Sequence, residues 1–365
     1  MIDKTSILSN LKMLEQTADR KCACVGFDGF VDSLFRVVKS RVSAEEVTTF
    51  DTITEFAAHI AAAAGRSADM ELQEISVRMG GNAPLMAQAL GSLSVSTRCI
   101  GTMGWPEPEP VFSGDGLRFT PISLAPSAKC MALEYADGKL MFGQTQSLLT
   151  LNWEKIRQTV GLEELRRIYR ESSLWGIVNW SFLLCSNDIV EGFLADVVEY
   201  CGDGKQKYLF FDLADPSGRS REDVRKLCSL MGRLNDAVKV TLGLNENESV
   251  KLAAVLELPE GGSSEERAEA LRQTLGVDYV VIHGLSYAVG ASGDGIFRAE
   301  SIFNPNPVLS TGGGDNFNAG LCTALIHGLD LECALLFGNM VSSYYVTYGH
   351  SPSLSQLAGY IEESL

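Results

Sequence analysis

Short runs of β-forming residues alternate with helical patterns along most of this sequence. Apolar runs predict six buried strands, over residues 22–27, 95–100, 175–178, 208–212, 238–242 and 279–282. Helical periodicity predicts helices between the later strands, over residues 187–200, 221–234, 246–256 and 264–275. In such crossover units the parallel strands form one sheet and the helices cover its faces. The sequence therefore predicts an α/β fold with a mostly parallel central sheet.

Two segments break this alternation and predict a small β-rich lid. The first, about 33–78, contains an Ala-rich helical pattern over residues 53–64. The second, about 105–145, contains short strand patterns over 130–135 and 139–143, joined by an Asp-Gly hairpin signal. No repeat or low-complexity linker divides the chain. The whole chain, 1–365, is therefore expected to form a single domain with this lid.

The charge balance excludes several classes of partner. The chain has 30 Lys and Arg against 46 Asp and Glu, a formal net charge of −16. Nucleic acids and anionic membranes require clustered basic residues, so neither is an expected partner. No apolar stretch reaches about 18 residues, and the N-terminal segment lacks the apolar core of a signal peptide. The nine cysteines include no C-x-x-C pair, which is typical of free thiols in the cytoplasm.

The segment that carries most chemistry is NPVLSTGGGDNFNAG, residues 306–320. Its three glycines, Gly312, Gly313 and Gly314, allow positive φ and a close approach of the backbone to a ligand. Their amides, at the start of a helical pattern, form a pocket suited to a transferring phosphoryl group. Asp315 follows, and a carboxylate there can accept the proton of an attacking hydroxyl. The alternative is a tight turn with Asp315 as a helix cap, which a lone Gly-Gly-Gly-Asp would favour.

Residues 310–320 resemble the C-terminal signature of the ribokinase-like carbohydrate kinase family. That signature reads Asp-Thr-x-Gly-Ala-Gly-Asp, followed by a Phe and a Gly on the next helix. Here Ser310 replaces its first Asp and Gly313 its Ala. The resemblance implies a three-layer α/β/α fold and ATP-dependent phosphorylation of a hydroxyl on a small carbohydrate, a sugar or a sugar acid. It also implies Asp315 as the general base and the three glycines as its anion pocket.

A second match to the family concerns the substrate. Residues 79–90, MGGNAPLMAQAL, resemble the family's N-terminal signature, whose paired glycines lie against the sugar. The resemblance implies that Gly80, Gly81 and Asn82 contact the substrate, although the family's usual Asn falls on Leu85. Residues 26–32, GFDGFVD, resemble the first strand and turn, where an Asp holds substrate hydroxyls. Asp32 is the first choice for that role and Asp28 is its rival.

The third match concerns the nucleotide. Asn245 and Glu248, in the run NENE, resemble the family's Asn-x-x-Glu motif, which orders magnesium, water and phosphate. The resemblance implies that Glu248 acts on Mg²⁺ indirectly, which suits an ion that keeps several of its waters. The run 212–219 resembles the family's Asp-x-Asn-x-Arg stretch, with Asp215 at the Asn position.

Further positions match the family's nucleotide side with less specific motifs. The cofactor-binding positions that they add are Thr311, Gly284 and Asn339. Some family members bind a monovalent cation near two loops that correspond here to Gly284 and residues 347–352. The resemblance therefore implies ATP and Mg²⁺ as ligands and leaves a monovalent cation such as K⁺ open.

Other nucleotide and hydrolase motifs are missing from the sequence. It has no G-x-G-x-x-G after the first strand, no G-x-x-x-x-G-K-[ST] and no G-x-S-x-G. Two alternatives to a carbohydrate kinase stay open: a nucleoside kinase, and a catalytically inactive sugar- or nucleotide-binding regulator on the same fold. The sequence does not select among sugars, sugar acids, sugar phosphates and nucleosides. Exposed lid edges predict a homodimer.

Overall fold

A computed structural model describes residues 4–17, 20–44, 46–202, 205–259 and 261–364. The strands are β1 Cys22–Phe27, β2 Phe30–Arg41, β3 Val47–Thr49, β4 Leu72–Gly80, β5 Ser96–Gly101, β6 Thr120–Ser123, β7 Ala128–Tyr135, β8 Gly138–Gln144, β9 Leu174–Ile177, β10 Tyr208–Asp212, β11 Lys239–Asn245, β12 Tyr279–His283, β13 Tyr287–Ser292 and β14 Gly295–Glu300.

The helices follow the same chain order. They are α1 Lys4–Thr17, α2 Ile53–Ala62, α3 Asn82–Ser92, α4 Gln146–Thr150, α5 Trp153–Val160, α6 Leu162–Glu171, α7 Ser186–Phe193, α8 Glu199–Cys201, α9 Arg221–Asn235, α10 Glu246–Val255, α11 Ser264–Leu275, α12 Gly313–Ile326, α13 Leu331–Tyr348 and α14 Leu354–Ser364. A π-helical turn, Leu194–Val198, joins α7 to α8.

The larger of two sheets contains nine strands in the order β14-β13-β12-β11-β10-β9-β1-β5-β6. Strands β12 to β6 in that order are parallel to one another. Strands β13 and β14 extend one edge as an antiparallel pair. The predicted α/β class with a mostly parallel central sheet is confirmed.

Helices cover both faces of this sheet. Phe210 and Phe211 are neighbours on β10, and both are fully buried. Because successive strand residues point to opposite faces, their burial requires a packed layer on each side. Phe211 belongs to an apolar core with residues of α5 to α11, and Phe210 to a second core with residues of α3, α12, α13 and α14. The body therefore has three layers, helix, sheet and helix.

The second sheet forms the lid. Its order is β3-β2-β7-β8, and β4 also pairs with β2. Helix α2, capped by Thr52, covers one face of this sheet. Only a small core lies between them, formed by the buried side chains of Val37, Phe50, Phe56, Leu133 and Tyr135. The rings of Phe56 and Tyr135 are stacked with their centroids 5.7 Å apart.

Short joints connect the lid to the body. Two residues, Asp28 and Gly29, separate body strand β1 from lid strand β2. On the return path, Gly81 alone separates lid strand β4 from body helix α3. The lid strands are therefore continuous extensions of body elements.

The lid differs from the prediction in its limits. The lid begins at Phe30, whereas its first segment was predicted to begin at about residue 33. Residues 105–127 lie outside the lid sheet, although they were predicted to belong to the lid. This segment returns to the body because Phe112, Phe119 and Leu124 are buried in the two body cores. Strand β6 then pairs with β5 at the edge of the large sheet. Of the described helices, none has the length and hydropathy needed to cross a membrane.

Candidate active site

The candidate active site lies at the carboxyl ends of β10, β11 and β12. These strands end at Asp212, Asn245 and His283, and all three side chains line one cavity of about 290 Å³. Helix α12 begins at the same place, and its first residues complete the wall. Open α/β sheets bind their ligands in the crevice outside the carboxyl ends of the strands, so a cavity at this place is the expected binding site.

The N-terminus of α12 is formed by the three glycines. Gly312 is the N-cap, with a φ of 94°, and a Cβ atom there would lie 2.6 Å from the Tyr345 hydroxyl. A side chain at this position would be both strained and obstructed. Gly312 and Gly314 line the cavity. The first-turn amides of a helix have no intrahelical acceptor, so this end of α12 can bind an anion.

Asp315 lies on the first turn of α12 and is almost completely buried. Its carboxylate lines the cavity, and its Oδ1 atom has no hydrogen-bond partner among the described residues. Burial raises the pKa of Asp315 well above its usual range, and the nearby carboxylates of Asp212 and Asp28 raise it further. A buried carboxyl group with one free oxygen and a raised pKa is suited to accept a proton from a hydroxyl.

Two more carboxyl groups line the cavity beside Asp315. Asp212 accepts hydrogen bonds from the Ala214 amide at 2.8 Å and from Asn318 Nδ2 at 2.9 Å. Glu248 accepts a bond from the Asn245 amide, while the Asn245 side chain accepts one from the Glu248 amide, so the pair caps α10. Burial raises the pKa of Glu248 to about 7, with a further contribution from Asp212.

These carboxylates could hold a hydrated cation. Among the described residues, no three His, Cys, Asp or Glu side chains form a metal-ligand cluster. Mg²⁺ keeps several waters and binds through one or two carboxylates together with phosphates. Asp212 and Glu248 fit that arrangement, because both are oxygen ligands on the wall of one cavity.

Asp32, Gly81 and Asn82 also line the cavity. Asp32 is on lid strand β2, and burial raises its pKa. Gly80 pairs with Phe30 in the β2–β4 ladder and lies diagonally across from Asp32, and any Cβ atom on Gly80 would collide with the Asp32 carboxylate. The paired glycines thus make room for an acidic side chain beside the cavity.

Asp28, the rival of Asp32, has a different environment. It is fully buried and does not line the cavity. Its two oxygens accept hydrogen bonds from the amides of Asn82 and Ala83, at 2.9 and 2.8 Å, and Asn179 Nδ2 donates a third at 2.5 Å. Burial nevertheless raises the pKa of Asp28 to about 6. Asp28 therefore caps α3 from the end of β1 and fixes the Gly80-Gly81 turn.

A second cavity of about 340 Å³ lies on the other side of the glycine segment. The predicted nucleotide-side residues Asn245, Gly284 and Asn339 line it. Phe303 and Leu285 also line it, with 56% and 83% of their surface exposed. Large apolar side chains left exposed beside a cavity are typical of a binding surface.

The structure brings most predicted site residues together. Those that line the first cavity are Asp32, Gly81, Asn82, Asn245, Glu248, Thr311, Gly312, Gly314 and Asp315. Gly313 lines the second cavity, which also shares Gly314 and Asn245 with the first. Asp28 and Gly80 support the site from behind its wall.

Two ionisable residues of the first cavity, Asp212 and His283, were not among the predicted site residues. Asp212 lines the cavity, whereas Asp215, at the Asn position of the motif, is exposed and paired with Lys251 at 2.8 Å. His283 lines both cavities and stacks on Phe317 at 4.9 Å. Burial lowers the pKa of His283 to about 4, which keeps its ring neutral. Their position at the ends of predicted parallel strands was the available signal.

Comparisons with known proteins agree with this geometry. The family model described as prokaryotic ketohexokinase matches residues 4–364. A ketohexokinase of Haloferax volcanii is 30% identical over 363 residues, which cover 96% of this chain and 94% of the relative.

Solved structures show the same fold at lower identity. An adenosine kinase from Sinorhizobium meliloti has a TM-score of 0.64 at 16% identity and covers 95% of this chain and 100% of its own. A structure described as a ribokinase II from E. coli, in complex with ATP and Mg²⁺, has a TM-score of 0.60 at 15% identity, with 94% and 99% coverage.

Proposed function

Because the chain belongs to the prokaryotic ketohexokinase family, we propose that its acceptor is a ketohexose and that Asp315 activates the acceptor hydroxyl. The chain is an ATP-dependent carbohydrate kinase. The observation that carries the role of Asp315 is its buried carboxyl group on the first turn of α12, at the wall of the cavity, whose Oδ1 atom has no partner among the described residues.

Direct transfer accounts for the arrangement of the residues. Asp315 takes the proton of one sugar hydroxyl, and that oxygen bonds to the γ-phosphorus of ATP. The bond from this phosphorus to the β–γ bridging oxygen breaks, and ADP leaves with the electron pair. The amides at Gly312–Gly314 hold the developing negative charge, which is the main task of a protein in phosphoryl transfer.

The two cavities divide the substrates between them. Asp32 and Asn82 hold sugar hydroxyls in the first cavity. The nucleotide occupies the second cavity beside Gly284 and Asn339, with its phosphates directed toward Thr311 and the glycines. A carboxylate that pairs with a hydroxyl discriminates between sugars, because an analogue without that hydroxyl leaves a buried polar group unpaired.

Mg²⁺ supplies neutralisation of the phosphate charge when it is bound. Asp212 and Glu248, with Asn245, would hold its water shell from the wall of the first cavity. We extend the proposal to K⁺ as an activator near Gly284 and residues 347–352, and to a cytoplasmic location without nucleic-acid or membrane partners. The net charge of −16 supports the latter.

The test is ADP release from Mg-ATP with ketohexoses, aldohexoses, pentoses, sugar acids, sugar phosphates and nucleosides, in KCl and in NaCl. We expect the highest kcat/KM with a ketohexose and faster turnover in KCl. Asp315→Asn should lower kcat about 10³-fold. The matched control is Asp215→Asn, which alters an exposed carboxylate and should retain activity.

Other results would contradict parts of the proposal. A kcat/KM ten times higher for an aldose or a nucleoside than for any ketohexose would contradict the ketohexose assignment. It would not contradict the proposed phosphoryl transfer with Asp315 as the base. Activity of Asp315→Asn close to that of the wild type would remove Asp315 as the base. Equal turnover in KCl and in NaCl would contradict the proposal that K⁺ is an activator.

We also propose a homodimer through the lid. Edge strand β4 exposes Leu72, Ile75 and Val77, and edge strand β8 exposes Met141 and Phe142. Unpaired strand edges with apolar side chains favour pairing with a second copy. Sedimentation velocity should show a dimer that Ile75→Lys weakens. Ile60→Lys, on the exposed side of α2, is the matched control, and a monomeric wild type would contradict the dimer.

A further inference from the structure

The two cavities contain carboxylates but no Lys or Arg side chain among their described lining residues. Asp32, Asp212, Glu248 and Asp315 all line the first cavity. ATP brings further negative charge into this acidic environment, and charge stabilisation is most of what a protein contributes to phosphoryl transfer. A positively charged side chain must therefore approach from outside the described walls, or the phosphates depend on Mg²⁺ and amides alone.

Arg78 is placed to make that approach. It lies on lid strand β4, directly opposite Asp32 in the antiparallel β2–β4 ladder. Directly opposed residues of an antiparallel pair project from the same face of the sheet. Asp32 lines the first cavity, so Arg78 projects from the cavity face of the lid, two residues before Gly80.

The surroundings of Arg78 connect it to the glycine segment. Burial and the Asp315 carboxylate raise the pKa of Tyr345 to about 12, and the Arg78 guanidinium opposes them. The Tyr345 hydroxyl donates a hydrogen bond to the Thr311 carbonyl at 2.9 Å and lies against Gly312. The positive charge of Arg78 thus acts at the N-terminus of α12.

Arg78 has no competing role in the described structure. Its side chain is exposed, and no described carboxylate forms an ion pair with it. In contrast, Arg41 of the same lid is held by Glu71. An exposed guanidinium without a partner contributes little to folding stability, so the fold offers no reason for an arginine at this position.

We propose that Arg78 is a catalytic residue that binds the transferred phosphoryl group when the lid closes over the sugar. Its guanidinium donates hydrogen bonds to the equatorial oxygens and exchanges no proton, while Asp315 still takes the proton of the hydroxyl. Arginine suits this role because its planar fork binds phosphate with two bonds. The inference rests on the proposed function, since it assumes transfer at the glycine segment.

Closure couples the two lid residues. Asp32 and Arg78 are fixed to each other by the ladder, so a sugar that draws Asp32 toward the cavity also brings Arg78 toward the phosphate. The phosphoryl group therefore meets its positive charge only after the acceptor has bound. Such coupling limits transfer of the phosphoryl group to water.

The experiment compares wild type, Arg78→Ala, Arg78→Lys and Arg36→Ala. Arg36 is an exposed arginine further along β2, opposite Gln73, and serves as the matched control. We expect Arg78→Ala to lower kcat about 100-fold and to leave the KM values for sugar and ATP within about threefold. Arg78→Lys should recover about a tenth of wild-type kcat, because it restores the charge without the fork.

A binding measurement separates catalysis from structure. With Mg²⁺, ADP, aluminium fluoride and sugar, the wild-type Tm should rise well beyond its rise with Mg²⁺ and ADP, because this mixture mimics the phosphoryl group in transfer. Arg78→Ala should lose the additional rise but keep the rise with ADP. Its Tm without ligand should equal that of the wild type.

Two outcomes would overturn the inference. One is a kcat for Arg78→Ala within threefold of that for Arg36→Ala. The other is a raised sugar KM with unchanged kcat, which would make Arg78 a ground-state sugar contact. The assay uses whichever sugar of the panel the wild type phosphorylates best, so failure of the ketohexose assignment would leave this test intact.

Discussion

The body and the lid of this kinase differ in the size of their apolar cores and in the site residues that they carry. The body sheet has two large apolar cores, one on each face, and it holds the buried carboxyl groups of Asp28, Asp212 and Asp315. The lid sheet has one small core beneath α2. Its other face carries Asp32 and Arg78 toward the cavity. The proposed base Asp315 thus resides in the body, and the lid contributes Asp32 for the acceptor and Arg78 for the phosphoryl group.

The larger cores of the body make it the more rigid region, and it holds the buried carboxyl groups. Densely packed surroundings hold a buried carboxyl group in an unfavourable environment, as with Asp315, whose pKa is raised. A sheet with few buried contacts opens at lower free energy than the global unfolding transition. We therefore expect substitutions around the glycines of α12 to lower kcat, and substitutions in the lid core to raise the sugar KM.

The largest expected effect tests the rigid side of this comparison. Gly312→Ala would place a side chain at a φ of 94° and 2.6 Å from the Tyr345 hydroxyl. The first turn of α12 must shift, and its amides then miss the phosphoryl oxygens. We expect kcat to fall about 10²–10³-fold, with a lower Tm. Gly116→Ala, which meets no atom within 4 Å, should leave both unchanged. An unchanged kcat in Gly312→Ala would contradict the claim that Gly312 is needed to form the anion pocket.

The next effect tests the lid. Phe56→Ala would remove the central ring of the lid core, which packs on Phe50 and Tyr135. Loss of a buried Phe costs about 3–5 kcal/mol. We expect sugar KM to rise about tenfold or more, because lid closure must now compete with lid opening, while the affinity for ATP stays constant. Hydrogen exchange should accelerate in β2 and β7 and remain slow in β10 and β11.

The matched substitution in the body is Phe193→Ala, which removes a fully buried ring near Trp175. It should lower the global Tm instead of the sugar affinity alone. If Phe56→Ala accelerated exchange in both sheets equally, the lid and the body would form one cooperative unit. The comparison would then fail.

The smallest effect concerns pH and stability. Burial and neighbouring acids raise the pKa of Asp315 in the folded state, so the folded protein binds this proton more tightly than the unfolded chain. Its contribution to stability is present at low pH and is lost as pH rises through the raised pKa. Asp315→Asn should therefore raise the Tm by roughly 3 °C at pH 9, and the gain should disappear below about pH 4.

Asp215 gives the opposite case. Lys251 and Ser217 lower its pKa to about 2, so its charge is favourable when folded. Asp215→Asn should leave Tm unchanged or slightly lower at both pH values, since exposed ion pairs contribute little. Differential scanning fluorimetry of the two variants tests both signs. An Asp315→Asn protein less stable than wild type at pH 9 would contradict the raised pKa.

The sequence predicted the body more closely than the lid, for physical reasons. Strands β1 and β10 are uninterrupted apolar runs because both of their faces are buried, and such runs are easily recognised. Helix α11 has both of its end signals, a capping box at Ser263 and Gly276 in a left-handed conformation. Local sequence fixes these elements, so the predicted and observed limits coincide.

The lid and the sheet edge depend on contacts that local patterns do not contain. Strand β2 carries apolar and polar side chains on both faces because α2 covers one and the cavity the other, so it has no simple alternation. The β13–β14 hairpin was not predicted, although Asp294-Gly295 between two β-rich runs was an available turn signal.

Among the site residues too, the roles determined by local sequence were predicted and those determined by distant contacts were not. Motif spacing predicted Asp315 and the glycines, which are adjacent in the chain. Asp212 and Asp28 differ because their roles depend on which strand ends meet. Asp212 reaches the cavity from β10, and Asp28 caps α3 across 54 residues of sequence. The choice between Asp28 and Asp32 therefore required the three-dimensional arrangement.

The short joints between the two sheets bear on how descendants of this enzyme can diverge. One part of the lid enters through Asp28 and Gly29 and leaves through Gly81, and β7 and β8 form a second insertion between β6 and α4. Mutations elsewhere in these lid segments can reshape the contacts of the acceptor while Arg78 and the glycines of α12 stay intact. A lineage can thus exchange one sugar for another without passing through an ancestor that has lost the ability to use ATP.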